Sequence, residues 1–303
     1  MKAVLLREIG GPEQLECTEI RDPEPREGQT LVRVRAAGIN FLDILVRQGR
    51  YPQPALLPTI LGAEVAGDVD GRRMMGLPHE GGYAELVAVD DEWLVPLPGG
   101  ASFEEGAAFL LTFLTSYLPL RRASVGPGAT VLVHAGAGGV GSAAVQLARH
   151  FGARVVATAS SAEKRRWVLD LGADEAYGYD EFDERVRADV VLDPVGGAVL
   201  TRSLPILNPL GMLVAIGFAG GPWEDLNPAL LLGRNVAVQG LYLGRLMRHR
   251  PDVVREAIAE LVELWTRGAV RPAVGARYPL ADAPAAHRLI EERRHVGKVV
   301  LVP

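Results

Sequence analysis

The sequence predicts an α/β protein in which a doubly wound parallel sheet accompanies a second, discontinuous β-rich domain. The middle of the chain alternates apolar, strand-like runs with helical segments, which is typical of a parallel sheet covered by helices. Both ends of the chain instead carry short strand-like runs separated by glycine and proline, which is typical of antiparallel sheets. The two patterns therefore predict two domains.

The amino-terminal third supplies antiparallel strands. Met1 to Leu6, Thr30 to Ala36 and Tyr83 to Val89 have the composition of short strands, and the second of them alternates arginine with valine. Such alternation predicts a strand with one buried face and one solvent-facing face. From Ser102 onward the pattern becomes helical, with Ser102 in the N-cap position.

The most informative motif lies in the middle of the chain, where HAGAGGVG follows an apolar strand and opens a helix. Gly136, Gly138 and Gly141 fit G-x-G-x-x-G, whose glycines permit a tight turn, the approach of a pyrophosphate and a close helix–strand contact. The simpler alternative is an ordinary glycine-rich loop. Because residues 154–159 form a second apolar run of strand type, we favour a dinucleotide-binding Rossmann domain.

The end of this second strand indicates which dinucleotide binds. An NAD site offers Asp or Glu there to the adenosine ribose, whereas this chain offers Ser160 and Ser161, followed by Lys164, Arg165 and Arg166. Hydroxyl and cationic groups suit a ribose 2′-phosphate, so we expect NADPH as the cofactor. The alternative is that the basic triplet is only a solvated helix face.

The remaining elements complete the two domains. The predicted strands and helix in this part of the chain are Ala188–Asp193, Gly211–Ile216, Val236–Leu241, the amphipathic helix Pro251–Arg267 and the strand Lys298–Val302. We assign residues 1–112 and 246–303 to the β-rich domain and residues 113–245 to the Rossmann domain. The cleft between two such domains is the expected site.

Composition excludes several functional classes. The formal net charge of −5 and the hydrophobic share of 48% argue against disorder and against a general nucleic-acid surface. The single cysteine rules out an internal disulfide, and the six histidines show no metal-ligand spacing. No secretory segment or long apolar run is evident, so we expect a soluble, cytoplasmic protein that acts on a small molecule.

Several stretches together carry a family resemblance: AAGINFLDILVRQGRYP, LGAEVAG, GGYAELVAV, VLVHAGAGGVGSAAVQLA and GKVVLV. The chain resembles the medium-chain dehydrogenase/reductase superfamily over essentially its whole length. Within that superfamily it is most similar to the zinc-free, zeta-crystallin-like quinone oxidoreductases. The resemblance implies a GroES-like β-rich catalytic domain beside the Rossmann domain and a homodimer joined at the edge strand Val236–Leu241.

The resemblance also identifies the position of the zinc site in zinc-dependent members, and this chain lacks the zinc ligands there. Zinc-dependent members place a cysteine where Asn40 stands and a histidine where Ala63 stands. Alanine has no ligand atom and an amide oxygen is a poor substitute for a thiolate, so no metal is expected. Without a Lewis acid, the expected substrate is one that accepts hydride readily, namely a quinone or a related conjugated carbonyl.

Three residues are the catalytic candidates that the resemblance implies: Asn40, Asp43 and Tyr51. Asn40 would donate a hydrogen bond to a quinone oxygen, and Tyr51 would stack on a ring or pass a proton. Structural roles are equally open, because Asn40 can fix a turn and Asp43 can cap a helix. Leu45, where some relatives have tyrosine, suggests a roomier and more apolar pocket.

The candidate cofactor residues combine the motif with contacts that the resemblance implies. They are Thr115, Gly136, Gly138, Gly139, Val140, Gly141, Ser160, Ser161, Lys164, Tyr179, Gly217 and Phe218. The function predicted from all of these features is NADPH-dependent quinone reduction. The alternatives are reduction of the double bond of an enone, alkenal or enoyl thioester, and a noncatalytic role as an RNA-binding or crystallin-like structural protein.

Overall fold

A computed structural model describes residues 1–223 and 225–303, which form two compact units. Unit 1 contains residues 1–111 and 271–303, and unit 2 contains residues 112–270. The first boundary lies next to the predicted one. The second lies at residue 270 and not at residue 245, because the helix Pro251–Thr266 belongs to unit 2, where its Glu260 accepts a hydrogen bond from the Tyr117 hydroxyl.

The secondary structure follows the predicted order. The strands are β1 Lys2–Leu6, β2 Leu15–Glu19, β3 Gln29–Ile39, β4 Thr59–Ile60, β5 Val65–Val69, β6 Arg72–Gly76, β7 Leu86–Asp90, β8 Leu94–Pro96, β9 Thr130–Val133, β10 Arg154–Thr158, β11 Glu175–Tyr177, β12 Ala188–Asp193, β13 Leu207–Ala215, β14 Ala237–Gly240, β15 Val274–Pro279 and β16 Lys298–Val302. The helices are α1 Phe41–Arg47, α2 Phe103–Gly106, α3 Leu110–Arg122, α4 Gly139–His150, α5 Ala162–Leu171, α6 Phe182–Arg185, α7 Gly197–Ser203, α8 Pro228–Arg234, α9 Leu243–His249, α10 Pro251–Thr266 and α11 Ala283–Glu291.

Unit 2 is built on a six-stranded sheet with the order β11-β10-β9-β12-β13-β14. Each neighbouring pair is parallel, and this order is the doubly wound arrangement of dinucleotide-binding domains. The predicted Rossmann fold is therefore confirmed. Its strands bury apolar side chains such as Leu132, Val156 and Val191. Because β9, β10 and β12 are parallel, their carboxyl ends lie together at one edge of this packed sheet.

Unit 1 is mainly antiparallel, as predicted. A seven-stranded sheet follows the order β15-β16-β3-β5-β6-β8, with β7 paired to β3, and a three-stranded sheet has the order β2-β1-β4. In β3 the valines are buried while Arg33 and Arg35 are exposed, which confirms the alternation read from the sequence. The strand β16 lies between β15 and β3, so the carboxyl-terminal segment completes a sheet begun by the amino-terminal one.

Some short elements carry no strong sequence signal. The hairpin of β5 and β6 turns at Asp70 and Gly71, which both have positive φ (48° and 79°), as a tight hairpin turn requires. Ser102 caps a helix as predicted, but α2 is only four residues long. In the described part of the chain, no helix has the length and apolar character needed to span a bilayer.

Candidate functional site

The glycine-rich loop of unit 2 connects β9 to α4 and is held by backbone hydrogen bonds, one within the loop and one to β10. The Gly138 N–H donates to the Ala135 carbonyl over 2.9 Å, and the Gly136 N–H donates to the Thr158 carbonyl at the end of β10 over 2.9 Å. Gly138 is the N-cap of α4, so the first N–H groups of a twelve-residue helix open onto the loop. This arrangement is suited to an anion.

The three motif glycines have different surroundings. A Cβ at Gly141 would lie 2.1 Å from the Ala135 carbonyl oxygen, and a Cβ at Gly136 would lie 2.8 Å from the Ala157 Cβ. Both positions therefore exclude a side chain because the loop packs against itself and against β10. A Cβ at Gly138 would meet only the Ala135 oxygen, at 3.4 Å. The space beside Gly138 is consequently open to a ligand, and the loop fits a pyrophosphate.

His134, the first residue of the motif, is a satisfied core histidine. The Ser203 hydroxyl donates to the Val199 carbonyl, so it accepts a hydrogen bond from His134 Nε2 over 2.8 Å. Nδ1 then accepts a hydrogen bond from the Thr158 hydroxyl over 2.9 Å. Burial, together with the nearby Arg202, lowers the pKa of His134 to about 3, so the ring is neutral.

The residues predicted to meet a ribose 2′-phosphate gather beyond β10. Ser160 is exposed, and Ser161 is the N-cap of α5, where its hydroxyl accepts a hydrogen bond from the Lys164 N–H over 3.2 Å. The Tyr179 hydroxyl accepts a hydrogen bond from the Ala135 N–H over 3.1 Å. Tyr179 therefore supports the glycine loop directly, a contact that the sequence did not reveal.

Asp193 ends β12, beside the strand that carries the glycine loop. Its Oδ1 accepts hydrogen bonds from the N–H groups of Val195 and Gly196, over 2.8 Å and 3.0 Å. Its Oδ2 is buried without a protein partner among the described residues, and burial raises the pKa of the carboxyl. An orphaned acceptor at this edge of the sheet is suited to a donor on a bound dinucleotide.

Five further residues predicted to contact the cofactor also lie in unit 2, and their accessibility differs. Gly139 and Val140 form the half-buried first turn of α4, and Thr115 is buried on α3. Gly217 follows β13, with its N–H 3.4 Å from the Asp193 carbonyl oxygen, and Phe218 packs edge-on against Trp223 with ring centroids 4.9 Å apart. Gly217 is thus brought close to Asp193 at the carboxyl end of the sheet.

In unit 1, Asn40 lies in a buried polar cluster that also contains Glu64 and Lys298. The Lys298 ammonium donates to Glu64 Oε2 over 2.6 Å and to Asn40 Oδ1. Glu64 Oε1 accepts the Leu111 N–H over 2.9 Å. Lys298 and Glu64 are 4% and 0% exposed, so this is an ion pair removed from water. We refer to these three residues as the Asn40–Glu64–Lys298 cluster.

Asp43 is wholly engaged in holding the segment around it. Its Oδ2 accepts hydrogen bonds from the Asn40 N–H over 2.7 Å and from the Tyr83 hydroxyl over 2.9 Å. Its Oδ1 lies 3.3 Å from the Gly62 nitrogen, which donates to it. Burial raises the pKa of Asp43 to about 6, while the hydrogen bonds from Asn40 and Tyr83 oppose this rise. Asp43 therefore holds the backbone at Asn40 and Gly62 and the Tyr83 hydroxyl in place.

A hydrogen-bonded chain continues from Tyr83 to the surface of unit 1. Arg47 Nε donates to His287 Nδ1 over 3.4 Å, so the proton of the neutral ring is on Nε2, which faces the Tyr83 hydroxyl at 3.2 Å. Arg47 in turn pairs with the half-buried Glu291 over 2.5 Å. Burial, with a contribution from Arg47, lowers the pKa of His287 to about 3.

Tyr51 and Leu45 are placed differently from each other. Tyr51 is half-buried just after α1, with its N–H 3.1 Å from the Leu45 carbonyl oxygen. Leu45 is only 4% exposed and packs in the core of unit 1. Little of its side chain is therefore accessible, and the roomier pocket expected from the sequence stays a prediction. Phe41 and Leu42 are half-buried on the first turn of α1.

The residues of this region do not fit a zinc ion. A buried ammonium already bonds the Asn40 and Glu64 oxygens, and a divalent cation on those oxygens would have to displace it. Ala63 has no ligand atom, and the lone cysteine lies on β2, paired to β1. Within residues 1–223 and 225–303, no three His, Cys, Asp or Glu side chains form a metal-binding group.

The sequence analysis missed Glu64, Lys298, Tyr83 and His287 as members of one network. Each is a polar or ionisable residue that the fold buries. The only available signal was that Lys298 is one of three lysines and stands inside a strand. Its partners lie 258 and 234 residues away, so no local pattern links them.

Two protein-family models match the chain. The alcohol dehydrogenase GroES-like domain matches residues 26–73, and the zinc-binding dehydrogenase model matches residues 139–263. The first lies in unit 1 and the second in unit 2. The matches agree with the division into a β-rich unit and a dinucleotide-binding unit.

Full-length relatives are also found. A quinone oxidoreductase from Pseudomonas aeruginosa is 35% identical, with 100% of this chain and 99% of that protein covered. The quinone oxidoreductase from Thermus thermophilus, whose structures include its complex with NADPH, is 45% identical and superposes with a TM-score of 0.92 over 100% of both chains. The Escherichia coli quinone oxidoreductase in complex with NADPH is 32% identical, with a TM-score of 0.93 over 100% of both chains.

Proposed function

Because this chain belongs to the quinone oxidoreductase branch of the medium-chain dehydrogenase/reductase superfamily, we propose that it reduces quinones with NADPH. The observation that carries the proposal is the full-length similarity to quinone oxidoreductases solved with NADPH, in a chain that keeps a well-formed glycine loop. The balanced reaction converts one quinone, one NADPH and one proton into one hydroquinone and one NADP⁺. Bound NADPH supplies both electrons as a hydride.

Unit 2 provides the cofactor contacts in this proposal. The first turn of α4 and the open position at Gly138 accept the pyrophosphate, and the Tyr179 hydroxyl holds the loop through the Ala135 N–H. Ser160 and Lys164 bind the 2′-phosphate, for which a hydroxyl and a cation are the appropriate partners. Thr115, Gly217 and Phe218 are the proposed contacts of the nicotinamide half.

Unit 1 provides the proposed acceptor contacts. Asn40 donates its amide hydrogens to the carbonyl oxygen that becomes negative when the ring accepts a hydride. Tyr51 supplies the proton or orders the water that supplies it. Asp43 positions Asn40 through the backbone N–H that it accepts, and does not itself contact the acceptor. No residue has to change its charge before the hydride arrives.

The test is NADPH oxidation by the purified protein with a panel of quinones, enones and an enoyl thioester. We expect quinones to accelerate oxidation. Acceleration by an enone or enoyl thioester alone would move the assignment to double-bond reduction. Tight NADPH binding with no acceptor turned over would overturn the proposed function. Tyr51→Phe should lower kcat by about tenfold, and Asn40→Ala should lower it further.

We also propose a cytoplasmic homodimer. The support is that β14 ends the six-stranded sheet and that Leu210 and Leu232, on β13 and α8 next to this edge, are 89% and 80% exposed. Sedimentation at micromolar concentration should give a dimer mass, and the double substitution Leu210→Glu/Leu232→Glu should give a monomer. The matched control is Leu56→Glu, at another exposed leucine in unit 1. A monomeric wild-type protein would contradict this proposal, and cell fractionation checks the location.

A further inference from the structure

Lys298 and Glu64 form a buried ion pair, and neither residue takes part in the proposed reduction of a quinone by NADPH. Moving two charges out of water is costly, and apolar residues of the same volume usually stabilise a fold as well or better. The pair is also tightly enclosed, because a Cβ at Gly38 would lie 2.9 Å from both Lys298 Cε and Glu64 Oε2. Besides each other, the two side chains contact the Leu111 N–H, which donates to Glu64 Oε1, and the side chain of Asn40.

The contact with Lys298 determines which way the Asn40 amide faces. An ammonium group can only donate, so the amide atom bonded to it must be the oxygen. The amide nitrogen then faces the Gly38 carbonyl at 3.3 Å and Glu64 Oε2 at 3.4 Å. Both distances are long for hydrogen bonds of this type, so the two amide hydrogens are weakly held. The oxygen is anchored, whereas the donor end of the amide is available to an acceptor that approaches it more closely.

The backbone of Asn40 is fixed as well. Asp43 Oδ2 accepts the Asn40 N–H, and the Tyr83 hydroxyl donates to the same carboxylate oxygen. Asn40 is thus held at its main chain by α1 and at its amide oxygen by β16, whose first residue is Lys298. A donor held from two sides needs little reorganisation when it binds a developing oxyanion.

We propose that Lys298, held by Glu64, is a positioning residue that orients the Asn40 amide so that its hydrogens face the carbonyl oxygen of the acceptor. The inference rests on the proposed function, because it names the residues that prepare a donor for that reaction. Lys298 acts through Asn40 and does not itself contact the acceptor. The ion pair keeps its charges throughout the reaction.

The decisive variant is Glu64→Gln/Lys298→Met, which removes both charges together and leaves no unpaired ion in the core. We expect kcat with the best acceptor to fall at least about tenfold, while the dissociation constant for NADPH stays within about twofold of wild type. The matched control is Glu104→Gln/Arg277→Gln, which neutralises a pair formed by a half-buried glutamate on α2 and an exposed arginine on β15, the neighbour of β16. Its kcat should equal that of wild type.

A second variant separates orientation from donation. Asn40→Asp keeps an oxygen for Lys298 but removes the amide hydrogens, so kcat should fall at least as far as in the double variant. Because the new carboxylate lies near Glu64 Oε2, NADPH affinity is measured in parallel to show that the variant is folded. A double variant that folds, binds NADPH and keeps wild-type kcat would overturn the inference. So would an Asn40→Asp variant with undiminished kcat.

A neutron crystal structure of Glu64→Gln/Lys298→Met, which distinguishes the amide oxygen of Asn40 from its nitrogen, tests the inference independently of turnover. The Asn40 amide should be rotated from its wild-type orientation or adopt more than one rotamer. An unchanged Asn40 side chain would show that Lys298 does not position it. This readout also separates the two proposals. If the wild-type protein turns over no acceptor, the proposed function fails, whereas the rotation of Asn40 still decides the role of Lys298.

Discussion

The glycine loop of unit 2 and the Asn40–Glu64–Lys298 cluster of unit 1 are built in opposite ways. The loop is made by consecutive residues, and its shape depends on side chains that are absent at Gly136 and Gly141. The cluster is made by residues up to 258 positions apart, and its shape depends on charges that the fold has buried. The loop should therefore be sensitive to added atoms, and the cluster to removed charges.

The largest expected effect tests the loop side of this comparison. In Gly141→Ala the new Cβ would lie 2.1 Å from the Ala135 oxygen, so the loop must move. NADPH should bind at least about a hundredfold more weakly, or about 2.7 kcal/mol, in a fluorescence titration, and the melting temperature should fall. In Gly138→Ala the Cβ meets nothing closer than 3.4 Å, so only affinity should fall. Full affinity in Gly141→Ala would show that the loop tolerates added atoms.

A smaller effect is expected where unit 2 uses a charge and not a backbone shape. Lys164→Ala should weaken NADPH binding by about thirtyfold, or about 2 kcal/mol, because a charged hydrogen bond to the 2′-phosphate is lost. Binding of NADH should be nearly unchanged. Arg248→Ala, at an exposed position of α9 outside the basic triplet, is the control. Equal losses for both dinucleotides would show that Lys164 does not distinguish them.

The smallest effect sharpens the comparison through pH, because each unit buries a neutral histidine. The pKa of His134 is about 3, below its usual 6.5, so its contribution to stability is complete above pH 6.5 and is lost as the pH falls toward 3. Between about pH 7 and pH 5.5, protonation of this histidine in the unfolded chain should lower the unfolding free energy by about 1 kcal/mol. His134→Gln should flatten the acid limb of a urea-denaturation series, and His150→Gln, at an exposed position, should not.

In unit 1 of the wild-type protein, two buried groups should oppose each other in their dependence on pH. His287 also has a pKa of about 3, but the pKa of Asp43, which shares Tyr83 with it, is raised to about 6. A raised carboxyl pKa favours the folded state as the pH falls below 6, in opposition to the histidine. His287→Gln should flatten the acid limb much as His134→Gln does, because Asp43 is present in the wild type and in the variant alike. An unchanged slope would contradict the contribution of His287.

These contrasts explain what the sequence could predict. The Rossmann unit follows from a local order of strand, glycine loop and helix, and all five predicted strands of that unit have counterparts in its sheet. The predicted second boundary differs from the division of the structure at residue 270. The helix α10 is amphipathic, and periodicity shows that a helix has a buried face without showing which unit covers it. Asn40 was selected as a candidate through the family resemblance, and its role stays a prediction. Glu64 and Lys298 were not selected, because a buried ion pair is defined by tertiary contacts alone.

The position of β16 between β3 and β15 has a consequence for synthesis on the ribosome. Residues 112–270 emerge before β16, so the parallel sheet of unit 2 can form while unit 1 still lacks a strand of its larger sheet. During that interval Glu64 has no lysine to pair with. A nascent chain interrupted before Lys298 would therefore hold a preformed nucleotide-binding unit joined to an open sheet edge, and that edge is the feature by which chaperones and proteases would distinguish it from the finished protein.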